Sequence, residues 1–232
     1  MMMLFLYACA DKNDLSVPTV EEVYAENRGI GSCEFYLCDG VLPIKWDTIT
    51  DTLGIRDCQV YVTYEKRQCD EGFEVRNFDF TPNMSDPDCM DILDSIATFW
   101  LAEDFEEARD MYNSWYREIT LEVQSLILAG LDPGDFSSGN TKSFQFIEVD
   151  CQTLCVDVFL DEFENVSIGF IGHTKCGESC CVRVGTWRFD LNGDAFIVGQ
   201  GVQPGTGDCS STYINCSGDY NPEMCSPACD RL

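Results

Sequence analysis

Cys176-Gly-Glu-Ser-Cys180-Cys181 brings three thiols within six residues, and the only histidine of the chain, His173, lies just before them. Thiolate and imidazole are zinc ligands, and a cysteine near a histidine is also the material of nucleophilic catalysis. Neither chemistry has its spacing here. No Cys-x-x-Cys pair occurs anywhere in the chain, so the zinc knuckle and the thioredoxin-like redox motif are both missing. With one histidine a His-rich catalytic metal centre is excluded, and no recognisable nucleophile motif accompanies it. His173 therefore reads as a structural or surface residue. No metal and no cofactor are implied.

Disulfide chemistry fits better. The chain has 15 cysteines, far more than a reducing compartment tolerates outside metal sites. Setting Cys9 aside leaves an even number: Cys33, Cys38, Cys58, Cys69, Cys89, Cys151, Cys155, Cys176, Cys180, Cys181, Cys209, Cys216, Cys225 and Cys229. Sequence alone leaves their pairing open. Three local expectations can be stated. Cys33 and Cys38 close a small loop, and Cys58 does not bond Cys69, because they sit at opposite ends of one strand. Cys180 and Cys181 are neighbours at what reads as the start of a strand, so they face opposite ways and reach different partners. Each bridge stabilises by about 2–4 kcal/mol, mainly by constraining the unfolded chain. A set of seven exceeds ordinary folding needs and points to persistence in an oxidising place.

Carboxylates are the other reservoir of chemistry. The 41 acidic residues give so many pairs that none singles out a glycosidase-like site. Asp190-Leu-Asn192-Gly-Asp194 imitates a calcium loop, but its glycine is two positions early and the distal Glu is missing. It reads as a hairpin turn. Gly199-Gln-Gly201-Val-Gln-Pro-Gly205 imitates a phosphate loop without a following helix. Asn83, Asn165 and Asn215 begin sequons that matter only in a eukaryotic secretory pathway. The net charge of −27, with 14 basic residues dispersed along the chain, excludes a nucleic-acid partner. It also repels an anionic lipid surface.

These groups must be positioned by ordinary elements. At 232 residues and 45% hydrophobic, the chain can bury a sizeable core. Thr19-Val-Glu-Glu22 is a capping box for a short helix over 20–28. Alternation of Val60, Val62 and Tyr64, the turn Cys69-Asp-Glu-Gly72 and Phe73–Phe80 make a hairpin. Asp86-Pro87 starts one helix, and a longer one fits 103–129, with Phe105, Ala108, Tyr112, Trp115, Ile119, Val123 and Leu126 as a core stripe ended by Gly130. This helical insert has no cysteine after Cys89, and packing alone is expected to hold it. Strands follow at 144–149, 154–160, 166–171, 181–189 and 195–199, the last two joined through Asn192-Gly193. Thr63-Tyr64 and Thr186-Trp187, with Phe73/Val75 and Phe196/Val198, make a faint internal echo. The segment around Trp46 shows no pattern.

The fold class expected is α+β: antiparallel sheet with a two-helix insert, disulfide-rich. Residues 1–9 form a signal- or lipobox-like segment and 10–17 a tether. A single stapled domain then covers 18–232, with the helical insert at about 86–130, the strand-rich half at about 144–200 and a Cys/Gly/Pro-rich cap at about 201–232.

Leu6-Tyr7-Ala8-Cys9, after an apolar run and before an acidic tether, resembles a bacterial lipobox, whose cysteine receives a lipid. Ala8-Cys9-Ala10 also reads as an ordinary signal-cleavage site. Cys176-Gly-Glu-Ser-Cys180-Cys181 feeding a strand, after alternating strands and a long helix, is similar to uncharacterised cysteine-rich exported proteins of Bacteroidetes-type bacteria. The resemblance implies an extracytoplasmic location, lipid-anchored through Cys9 in the bacterial envelope or secreted, and no activity. The expected role is a surface binding or structural module with an extracellular or envelope ligand. The alternative is a secreted carboxylate-dependent hydrolase.

Overall fold

The computed structural model describes residues 37–38, 45–136, 141–160, 166–204, 225–226, 229 and 232. The chain order is β1 (Asp47–Ile55), β2 (Cys58–Cys69), β3 (Gly72–Pro82), α1 (Pro87–Leu101), α2 (Phe105–Ala129), β4 (Lys142–Leu160), β5 (Val166–Phe189), β6 (Ala195–Pro204) and β7 (Cys225–Ser226). Among the described residues the sheet runs β1-β2-β3-β4-β5-β6, with β7 beside β4. Every pairing is antiparallel except β3 with β4. The α+β expectation with a two-helix insert holds. No helix described is long and apolar enough to cross a membrane.

Both helix starts follow their side chains. Asp86 caps α1 by accepting the Asp88 N–H, with Pro87 in the first turn. Asp104 accepts the Glu107 N–H at the start of α2, and Gly130 follows its end. The α2 stripe is core through Ala108, Tyr112, Trp115, Ile119 and Val123. It then departs from expectation: Leu126 is 43% exposed, and Ile127 and Leu128 are buried instead. Phe73, Val75, Phe144, Phe146 and Trp187 meet the helices from the sheet.

The opposite face is different in kind. Alternation turns Arg67 and Glu74 away from the core; they pair there, and Glu74 also accepts the Leu37 N–H. Trp46 stacks against Arg67 and Arg76, at 4.5 and 4.0 Å from ring centroid to guanidinium carbon.

Two expectations need correction, and one unassigned segment is a strand. Around Trp46, where the sequence assigns no element, strand β1 follows at Asp47–Ile55. Asp51 interrupts its apolar alternation because its carboxylate accepts the Tyr64 hydroxyl. The segments at 144–149 and 154–160 are one strand, as are 166–171 and 181–189. Bulges at Val149/Cys151, Cys151/Gln152 and Asp157/Val158 break the period of two without ending the pairing. Cys176 to Cys180 thus lie inside β5 rather than before it. The internal echo holds only in part. Tyr64 of β2 and Trp187 of β5 both face the core, but Phe73 is buried while Phe196 is 38% exposed.

Two glycines permit close approach. A Cβ on Gly72, at φ +146°, would lie 1.7 Å from the Ser143 carbonyl oxygen across the β3–β4 pair. A Cβ on Gly185 would lie 2.4 Å from the Phe144 ring. Gly72→Ala is therefore expected to lower unfolding stability by more than ~2 kcal/mol in urea denaturation. Gly54→Ala, with nothing within 4 Å of its Cβ, should stay within ~0.5 kcal/mol of the parent. Equal effects of the two would show that the β3–β4 contact is not tight.

Candidate functional site

The parallel pairing of β3 with β4 lasts only from Gly72↔Ser143 to Arg76↔Ile147. Asn77 then takes φ 50°, opposite a register shift in β2, and β3 continues along β2 alone. Where β3 and β4 part, a cleft of about 350 Å³ opens, walled by the first half of α2. Phe78, Phe80, Tyr112 and Tyr116 supply rings to it, with Asp79, Gln152 and His173 among the polar groups.

His173 comes from β5, directly across from Leu154. Its ring centre lies 4.3 Å from that of Tyr112 and 5.8 Å from that of Tyr116. His173, expected to be a structural or surface residue, is half-buried in the wall of this cleft.

Behind Tyr116 runs a buried polar seam. Tyr116, Thr120 and Gln124 follow one another at intervals of four on α2, so they share a face. Each meets a different strand. The Tyr116 hydroxyl donates to Glu148 Oε1 of β4 at 2.5 Å. Arg183 Nη2 of β5 donates to Thr120 Oγ1 at 3.0 Å. Gln124 Nε2 donates to Gln200 Oε1 of β6 at 3.0 Å. Arg117 Nε adds a bond to the Leu232 carbonyl oxygen at 3.2 Å.

Arg183 is only 3% exposed. Burial pushes its guanidinium down to about 10, helped by repulsion from Arg117 and opposed by Glu148 and Tyr116. It remains charged at neutral pH. A buried cation of this kind is tolerable because a buried carboxylate reaches it electrostatically.

The cysteines are brought together in part. Cys38 bonds Cys69, Cys58 bonds Cys89 and Cys181 bonds Cys229. Cys151 and Cys155 are also disulfide-bonded. The refusal of Cys58 and Cys69 to bond each other is borne out. The Cys33–Cys38 loop is not: Cys38 reaches the far end of β2 instead. Packing alone does not hold the helical insert either, since Cys89 in the first turn of α1 is tied to β2. Cys180 and Cys181 do face opposite ways. Cys181 lies in the helix-side core, while Cys180 lies in a second apolar cluster with Ile147, Val182 and Val184. Cys9, Cys33, Cys209 and Cys216, and the helix expected at 20–28, fall outside the described residues, as do the side chains of Cys176 and Cys225.

The loop Asp190–Asp194 is a hairpin turn. Its Asp190 carboxylate accepts the backbone N–H groups of Asn192 and Asp194. These bonds hold it below the usual carboxylate range.

No family model, curated protein or solved structure matches the chain. What the fold and bridges define is an α+β, disulfide-rich protein suited to an oxidising extracytoplasmic environment.

Glu148→Gln and Arg183→Met are each expected to cost about 3 kcal/mol, because each strands a buried partner. The double substitution should cost less than their sum by about 1–3 kcal/mol in urea denaturation. Strict additivity would mean that the two groups do not compensate one another.

Proposed function

We propose that the chain is an exported binding module of the bacterial envelope, tethered through a lipid on Cys9, whose ligand seat is the cleft between β3, β5 and α2. The observation that carries the reading is the cleft itself: a concave, aromatic-walled space with a few polar groups, of the size small-molecule sites have. The bridges support the export half, because they join segments far apart in sequence and require an oxidising compartment.

The hydrolase alternative finds less support. Glycoside hydrolysis needs two carboxyl groups facing the scissile bond. The described lining residues include one acidic residue, Asp79; Asp157 lies against the Gly169 backbone outside that lining, and Glu148 stands behind Tyr116 and is occupied by its hydroxyl.

Two measurements test the reading. Intact mass of host-purified protein should carry a lipid increment on Cys9, with thiols appearing only after reduction. Free thiols with bound zinc would overturn the export reading. A fragment screen followed by NMR of the Met84 methyl group and the His173 ring should yield binders that move both signals. Such binders should be weakened at least tenfold by Met84→Ala with His173→Ala, and unchanged affinity would remove the cleft as the seat.

A further inference from the structure

We infer that the cleft takes a small organic cation, an alkylammonium group on a compact body. The inference rests on the cleft being the ligand seat and adds the chemical class of what it holds. The charge of the lining is one-sided. Its described residues include the acidic Asp79, exposed on β3 between Phe78 and Phe80, and no lysine or arginine. A second carboxylate stands beside the lining backbone: a Cβ on Gly169 would lie 2.8 Å from Asp157 Oδ2.

The buried cation electrostatically linked to Tyr116 is turned to other work. Arg183 is held to Thr120 and balanced by Glu148 behind Tyr116, so it does not make the lining cationic. An anionic ligand would therefore lose its hydration without gaining a positive partner.

The rings argue in the same direction. Phe78, Phe80, Tyr112 and Tyr116 all contribute to the wall, and aromatic surroundings favour weakly hydrated ammonium groups over neutral or anionic ones. The exposed thioether of Met84 adds a soft, polarisable contact at the same place. The field of the whole molecule reinforces this choice. A net charge of −27 raises the local concentration of cations and speeds their arrival, and salt screens both effects. The volume of about 350 Å³ suits one such molecule and not a polymer segment.

The test compares choline with its uncharged isostere 3,3-dimethylbutan-1-ol, and with acetate, on the full oxidised chain. Calorimetry gives affinity, and the Met84 methyl and His173 ring signals give location. Choline should bind at least ten times more tightly than the alcohol, move both signals and weaken as salt is raised. Asp79→Asn should remove most of that tenfold preference while leaving the fold intact, since Asp79 is exposed on its strand. If the alcohol or acetate binds as tightly as choline with the same shifts, the cleft remains the seat and the cationic class is wrong. If none of the three moves either signal, both the class and the seat fail.

Discussion

The parallel contact between β3 and β4 is the constraint from which the rest of the molecule follows. Antiparallel neighbours can be joined by a tight turn, but parallel neighbours need a long connection that crosses the sheet. Here the connection is the pair of helices, and it must lie on one face. That face becomes apolar because it receives α1 and α2, while the other carries the Arg67–Glu74 pair and the arginine-flanked Trp46. The same constraint produces the cleft. The parallel ladder is short, and once Asn77 turns β3 away from β4 the helix above covers a gap rather than a continuous sheet.

The polar seam of α2 gives this arrangement a register. Apolar packing is non-directional, so a stripe of Trp115, Ile119 and Val123 would tolerate small rotations of the helix. Tyr116, Thr120 and Gln124 do not, because each must meet its own strand in turn. The burial of Arg183 and Glu148 contributes little net stability, since desolvation offsets much of their attraction. Its effect is to make misplacement costly, and so to hold Tyr116 against the back of the cleft.

Some of this was written in local chemistry and could be read from it. Asp86-Pro87, Asp104 and Gly130 mark helix ends by side-chain capping, and Val60-x-Val62-x-Tyr64 marks a half-buried strand by period. Other features depend on partners remote in sequence. The β1–β2 turn uses Arg56 and Asp57 at φ 52° and 66°, where the usual turn residues would be Asn and Gly, so its signal was missing. Bulges hid the length of β4 and β5 because they shift the alternation that reveals a strand. His173 carried no motif, and its place in the cleft comes from the pairing of β5 with β4 and from α2 lying above. A Tyr, Thr, Gln sequence at intervals of four beside an apolar stripe was the one local sign of the seam.

The first two bridges also decide how the molecule would bear a pull. Cys38–Cys69 and Cys58–Cys89 have the same separation, 31 residues, and they interlock. Together they tie two corners, Cys38 with Cys69 and Cys58 with Cys89, and three spans of chain join those corners in parallel: 38–58, 58–69 and 69–89. Tension arriving through the chain before Cys38, as it would through a tether, is borne first by the shortest span, 58–69, which is strand β2. The segment from 38 to 89 can then lengthen to only about 50 Å, against about 170 Å for the unbridged chain at full extension. Under load the first hairpin behaves as a short strap, and the helices and cleft that follow it are shielded from the slack of a long unravelling lead.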